Sequence, residues 1–288
     1  MVDRPLDVWA WTTRQGLLGA GLKQVVVPTG AGPQTAFVGG SGPVFLLLHG
    51  AGDQAGTWAQ VAPALLKDHT LIIPDLAGHG GSAPVSGPIE ASVIFCGLEA
   101  VVSELAAGRR VTVVGNSLGA WMAFVLAQRH PDWVEQVVAV NGGPLKQVGG
   151  AVNLLPKSRD EARLTMAALR DASAPPLPDL VLDDMVRVAK DGPLARFAAT
   201  ATSMEAWTLS EAQLRSLQVP VRVIWGTSDQ LMPLAYANRI VAALPGAKMV
   251  TLERCGHVPQ QEAPDRFLAA LQVCLAESHS SSHPSPAR

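Results

Sequence analysis

Short apolar runs alternate with segments of helical length along most of this chain, and that alternation is what most limits its fold. The runs cover residues 24–27, 34–38, 44–48, 70–73, 111–114, 137–140, 221–225 and 248–252. The run Val44-Phe45-Leu46-Leu47-Leu48 has no polar position, as expected of a central strand covered on both faces. Between the runs, residues 54–66, 89–107, 118–129, 233–243 and 264–276 place apolar side chains three or four apart, the spacing of one helix face. Strands that alternate with helices pair in parallel through right-handed crossovers, giving a helix–sheet–helix sandwich. The first two runs are separated only by PTGAGP and read as an antiparallel hairpin.

The alternation stops between residues 144 and 207. No strand pattern occurs there. Residues 159–170 carry Ala162, Met166 and Leu169 on one side, APPLPD follows, and 180–189 and 194–207 are further helix candidates. Ligands of open α/β sheets bind at the carboxyl edge of the strands. A helical cap inserted after strand six and folded over that edge is the expected arrangement. The expected organisation is a core over 1–143, a cap over 144–207, the remaining core over 208–276 and a disordered tail over 277–288, which reads ESHSSSHPSPAR. The fold class is α/β, a three-layer sandwich around a mostly parallel sheet of about eight strands.

The sequence Gly115-Asn116-Ser117-Leu118-Gly119 directly follows the run 111–114 and directly precedes a helical pattern. A strand–turn–helix around GxSxG lifts the serine oxygen above a sheet, at a helix N-terminus that favours negative charge. A serine hydroxyl needs a base to take its proton. Among the seven histidines, His257 is the best placed, in Arg254-Cys255-Gly256-His257-Val258-Pro259 after the run 248–252. His49 and His69 flank strands, His130 ends a helix, His279 and His283 are in the tail, and His79 lies in a glycine-rich loop. Asp229 follows the run 221–225, where a carboxylate can fix the imidazole tautomer. An aspartate in a polar turn is common, but the order Ser, Asp, His after three different strands favours a triad. Asp75 reads as a loop-stabilising residue. His49-Gly50-Ala51-Gly52 follows the run 44–48, and a glycine-rich turn beside GxSxG can aim an N–H at a developing oxyanion. The backbone N–H groups of Ala51 and Leu118 are the expected donors.

Other classes are disfavoured. Net charge is −2 with no basic block, so nucleic acid is not an expected partner. Cys96, Cys255 and Cys274 lack metal or disulfide spacing and read as packing residues. No metal or cofactor is expected. There is no apolar run of membrane-spanning length and no secretory h-region at the start, so the expected location is the cytoplasm.

Together these residues resemble the α/β-hydrolase superfamily. The likeness runs from about Gln24 to Ala276 and rests on LLLHGAG (46–52), PDLAGHGGS (74–82), VVGNSLGA (113–120), VIWGTSDQLMP (223–233) and GHVPQQEAP (256–264). The resemblance implies Ser117 as nucleophile, Asp229 as acid, His257 as base, and Ala51 and Leu118 as oxyanion donors. Within the superfamily the chain looks like capped bacterial carboxylesterases and lipases. It also looks like hydrolases that cleave carbon–carbon bonds in meta-cleavage products. Relatives often have a second glycine where Ala120-Trp121 stands, and carbon–carbon hydrolases tend to a longer loop at Gly52-Asp53-Gln54-Ala55. Ser117 disfavours dehalogenases and epoxide hydrolases, which resemble this fold but use aspartate; haloperoxidase chemistry is left open as a side activity.

The expected function is hydrolysis of a neutral carboxylic ester with a short to medium acyl chain, by a monomer or homodimer. Carbon–carbon bond hydrolysis is the alternative and would want an arginine, with Arg159, Arg163 and Arg196 as candidates. A ligand receptor on the same fold is the non-enzymatic reading. Candidate pocket residues are Trp58, Trp121, Leu154, Met166, Leu169, Trp207 and Leu231, each of which can equally be core.

Overall fold

The structure, a computed structural model, describes residues 4–146 and 152–280. Its strands are β1 (Lys23–Val27), β2 (Gln34–Gly40), β3 (Val44–Leu48), β4 (Thr70–Pro74), β5 (Val111–Asn116), β6 (Val134–Val140), β7 (Val221–Gly226) and β8 (Lys248–Leu252). They form one eight-stranded sheet in the order β1-β2-β4-β3-β5-β6-β7-β8. The β1–β2 and β2–β4 pairs are antiparallel, and every other pair is parallel. All eight apolar runs became strands, some of them longer by a few residues.

The helices are α1 (Pro5–Gly19), α2 (Ala62–Leu65), α3 (Ala91–Leu105), α4 (Leu118–Arg129), α5 (Arg159–Leu169), α6 (Asp179–Val188), α7 (Pro193–Ala198), α8 (Ala201–Met204), α9 (Glu211–Arg215), α10 (Leu234–Ala243), α11 (Pro259–Glu262) and α12 (Pro264–Ser280). Successive strand side chains point to opposite faces of the sheet, and here both faces are covered. Leu46, Leu48 and Val113 join the cluster formed with α3, α4 and α10. Phe45, Leu47 and Val114 join a second cluster that contains Leu17 of α1, Trp58 and Phe267 of α12. This is the three-layer sandwich, with a helical cap inserted after β6.

Three elements differ from the periodicity. Residues 54–66 are not one helix. Ala55–Trp58 is a 3-10 turn capped by the Gln54 side chain, and α2 follows with Pro63 in its first turn. Residues 194–207 break into α7, α8 and a 3-10 turn, Glu205–Trp207. The break falls at Thr200, whose Oγ1 donates to Ile89 O at 2.6 Å and to Phe197 O at 2.8 Å. A side chain that bonds the backbone locally and to a core loop competes with helix continuation. Finally, α12 runs on through Ser280, into the segment that composition assigned to a tail; residues 281–288 lie outside the described residues. The cap stretch 144–207 likewise contains 147–151, outside them too.

Helix α1 had no clear pattern because Val8, Trp9 and Trp11 face solvent; Trp11 is 64% exposed. Pro5 at its first position sets the helical φ. The helix touches two bodies. Towards the sheet, Arg14 pairs with Asp75, whose side chain is fully buried, and Gln54 Nε2 donates to Thr13 Oγ1 at 3.0 Å. Towards the cap, Leu6 N donates to Asp184 Oδ2 at 2.9 Å, and Arg187 Nη2 reaches Asp7 at 3.3 Å. Among the described residues no helix is long and apolar enough to cross a membrane.

Candidate active site

Ser117 sits between the end of β5 and the first residue of α4, at φ 54° and ψ −115°. This is the left-handed region that non-glycine residues avoid. The surrounding chain over-determines it. Ser117 N donates to Val140 O at 3.0 Å, and Trp121 N returns a bond to Ser117 O at 3.1 Å. The neighbouring backbones leave no room for side chains. A Cβ on Gly119 would lie 2.3 Å from Leu48 O, on Gly115 2.3 Å from Gly119 O, and on Gly142 2.4 Å from Ser117 O. The glycines of the motif are therefore required by close approach.

Asp229 and His257 come together. His257 Nδ1 lies 2.7 Å from Asp229 Oδ2, with only 4% of Asp229 and 6% of His257 exposed. A buried carboxylate needs compensating donors, and Asp229 has four. Besides His257, Leu231 N and Met232 N donate to Oδ1 at 2.9 Å each, and Asn141 Nδ2 donates to Oδ2 at 2.7 Å. With Nδ1–H given to the carboxylate, the ring's Nε2 is left as acceptor.

The His257 backbone is pinned from two sides. Its N–H donates to Leu169 O at 2.7 Å, and its carbonyl accepts from Asn116 Nδ2 at 2.9 Å. Asn116 precedes Ser117, so one buried amide ties the serine turn to the histidine loop. The Ser117 hydroxyl makes no hydrogen bond among the described residues. Such bonds commonly tighten only when a substrate is present.

Two asparagines were not singled out from the sequence. Asn116 is the variable residue of GxSxG and carries no signal there. Asn141 directly follows β6 at φ 44°, a conformation asparagine tolerates better than other side chains. Its Oδ1 accepts Gly226 N at 3.0 Å while its Nδ2 holds Asp229. A polar residue at the carboxyl end of a parallel strand, followed by two glycines, was the available signal.

Ser117 opens on a cavity of about 390 Å³. Ala51, Leu118, Trp121, Leu154 and Leu231 are on its wall, as are Leu194, Phe197, Met204, Met232 and Tyr236. Leu118 is the first residue of α4, so its N–H lacks a partner in the helix ladder. The remaining pocket candidates lie elsewhere. Trp58 is fully buried on the opposite face of the sheet, against Phe267, because its 3-10 turn packs there beside α1. Met166 and Leu169 line a different cleft, on the outer side of the His257 loop. Trp207 offers its carbonyl to Trp121 Nε1 at 2.9 Å, and its ring lies beneath the Arg129 guanidinium and tilted against Phe95. The cap arginines are also engaged outside the cavity. Arg159 and Arg163 pair with Asp179, and Arg196 donates to the carbonyls of Gly78, Pro84 and Gly87. The wall's charged residues, Lys146 and Glu205, pair with each other at 3.2 Å.

Two of the histidines set aside on sequence, His49 and His79, are buried and neutral. His49 Nε2 accepts Leu76 N at 2.9 Å, and its Nδ1 lies 2.8 Å from Gly50 O. Burial lowers its pKa to about 4, and that of His79 to about 3. Cys255 is fully buried, and burial pushes its thiol up to about 12, so it is no nucleophile at neutral pH.

Comparison with known proteins fits this architecture. A model of the alpha/beta hydrolase family matches residues 45–270. The chain is 31% identical over 262 residues to an uncharacterised protein of Mycobacterium tuberculosis, covering 82% of this chain and 76% of that one. It is 28% identical over 261 residues to a 2-hydroxy-6-oxononadienedioate/2-hydroxy-6-oxononatrienedioate hydrolase of Cupriavidus pinatubonensis, covering 83% and 86%. Among solved structures, a putative lipase from Acinetobacter baumannii superposes with a TM-score of 0.78 at 19% identity, covering 95% of this chain and 97% of that one. With its matched core, eight-stranded sheet and serine turn at the end of β5, the chain belongs to the alpha/beta hydrolase family.

Proposed function

We propose that this hydrolase cleaves neutral carboxylic esters through an acyl-enzyme. Ser117 is the nucleophile, His257 the general base and Asp229 its orienting acid. The observation that carries the reading is the cavity. The strained serine opens on a space walled by aliphatic and aromatic side chains, whose charged members, Lys146 and Glu205, neutralise each other.

In the proposed sequence His257 Nε2 takes the hydroxyl proton as Ser117 Oγ attacks the ester carbonyl. The buried Asp229 stabilises the imidazolium that forms. The N–H groups of Ala51 and Leu118 receive the oxyanion; Ala51 sits in the turn after β3 that Asp53 N closes on Gly50 O, and Leu118 opens α4, so little reorganisation is needed. The alcohol leaves with the proton from His257, and water repeats the steps to release the acid.

Carbon–carbon bond hydrolysis is the second reading, favoured by the Cupriavidus relative. A dienedioate carries two carboxylates and calls for cations in the pocket. Among the described residues the wall offers one cation, Lys146, already paired with Glu205, and the cap arginines are bonded elsewhere. This supports the ester reading over the alternative.

The test is turnover of p-nitrophenyl esters of increasing acyl length beside a 2-hydroxy-6-oxo-dienedioate. We expect a maximum at one short to medium chain length and a loss of at least about 10⁴-fold in Ser117→Ala. Turnover of the dienedioate with inert esters would replace this reading by the second.

A further inference from the structure

A second cleft, of about 570 Å³, lies where the end of α5 meets the loop between β8 and α11. It shares no wall residue with the Ser117 cavity. Three arginines line it, Arg170, Arg254 and Arg266, against one acid, Glu262. That acid is already occupied: Oε1 accepts Asp171 N at 2.8 Å and Oε2 accepts Gly256 N at 2.7 Å. Asp171 beside it accepts from Ser173 N at 2.9 Å and Ser228 Oγ at 2.5 Å. Hydrogen bonds from neutral groups leave both carboxylates charged, and Arg254 lies near enough to Asp171 to help lower its pKa, so three guanidinium charges face two carboxylates and the cleft keeps a net positive charge.

The arginines are unequally engaged. Arg266 donates to the carbonyls of Glu253 and Arg254, and Arg170 donates to Pro175 O. The Arg254 guanidinium donates no hydrogen bond among the described residues. Its backbone sits at φ 52°, where glycine would be the unstrained choice. The turn itself gives no reason for an arginine. The rest of the wall is largely apolar, with Met166, Leu169, Leu177 and Val258. Guanidinium forks match planar oxyanions, and an apolar wall gains by covering hydrocarbon.

We propose that this cleft binds an amphiphilic carboxylate, its head on Arg254 and Arg170 and its hydrocarbon on the Met166–Leu169 side, at a site distinct from the Ser117 cavity. The site touches the histidine loop directly. Leu169, on its wall, supplies the carbonyl that holds His257 N, and Glu262 holds Gly256 N. A ligand seated there shifts the surroundings of His257 without entering the Ser117 cavity.

The experiment uses the full chain and octanoate, with octan-1-ol and octyl phosphate as comparison ligands, by titration calorimetry. The variants are Arg254→Gly and Arg170→Ala. Arg254→Gly removes the cation and relieves the backbone, so Tm does not fall and a loss of binding is not a loss of fold. Expected is octanoate binding weakened at least tenfold in each variant, octanol binding at least tenfold weaker than octanoate, and a ring-resonance shift of His257 on octanoate addition that Arg254→Gly abolishes. Equal binding of octanol, or octanoate affinity unchanged in both variants, would overturn the site. Octyl phosphate binding while octanoate does not would overturn the carboxylate assignment, and an unmoved His257 resonance would overturn the link to the histidine loop. None of these readouts requires ester turnover, so the site and the proposed reaction fail separately.

Discussion

At the residue scale, two positions carry the sharpest expectations. Asn141 bonds Asp229 with one end of its amide and Gly226 N with the other. Asn141→Leu leaves a buried N–H without its acceptor and removes one of four donors from a buried carboxylate. An unsatisfied buried polar group costs about 1–3 kcal/mol. We expect urea melts to show a loss in that range. We also expect kcat on the best ester to fall by tenfold or more with KM nearly unchanged, because Asn141 orients the acid and does not line the cavity. A KM effect alone would contradict that role. Gly119 and Gly30 make a paired test of close approach. A Cβ on Gly119 would lie 2.3 Å from Leu48 O, whereas one on Gly30 meets nothing within 4 Å. Gly119→Ala should destabilise by several kcal/mol or fail to fold, by overpacking against fixed backbone (about 1–3 kcal/mol or more). Gly30→Ala should be close to neutral; equal melting temperatures for the two would refute the steric account.

At the scale of elements, α1 is the piece that sequence periodicity did not show. Its outward face carries Val8, Trp9 and Trp11, and its inward face works mainly through polar bonds, so no apolar stripe marks it. The sheet was legible for the opposite reason: strands covered on both faces must be apolar throughout, and helices such as α3 and α10 between them show one apolar face, while α4 is buried nearly all round. The Ser117 turn and the positions of Asp229 and His257 after their strands were also legible, because local spacing encodes them. Pocket membership was not. Trp58, Met166, Leu169 and Trp207 are apolar like Trp121, Leu154 and Leu231, and only the packing of α5 and of the Ala55–Trp58 turn decides which surface each one meets. The consequence of α1 can be measured. Arg14→Met strands the Asp75 carboxylate, which also accepts Ala55 N and Gly81 N. Breaking a buried pair from one side costs about 3–5 kcal/mol. Calorimetry should show a large drop in Tm for Arg14→Met and a smaller one for Asp184→Ala, whose lost partners, Leu6 N and Arg187, lie towards solvent.

For the molecule as a whole, acid sensitivity follows from its buried imidazoles. Burial, first of all, holds His49 near pKa 4 and His79 near 3, against 6.5 when exposed. Unfolded chains take up these protons as pH falls through 6.5, and the folded protein does not. Stability is therefore complete above pH 6.5 and is lost progressively as pH falls towards the folded values; each tenfold difference in proton affinity between the two states is worth about 1.4 kcal/mol. Asp53, raised by burial to about 6, acts in the opposite sense, since its protonated form is the one the fold favours. Two histidines against one acid leave a net gain in stability from pH 4 to 6.5. Urea melts across that interval should show it, and a flat profile would contradict the buried neutral state of the pair.

The cap is fastened at more than one place. Helix α1 holds α6 through Asp184 and Arg187, and Arg196 of α7 grips the loop that contains Gly78, Pro84 and Gly87. A roof bolted in two places resists lifting. On the proposed function we expect branched esters to turn over more slowly than slender ones of the same acyl length, and Arg196→Ala, which frees one of these fastenings, to narrow that gap in kcat/KM.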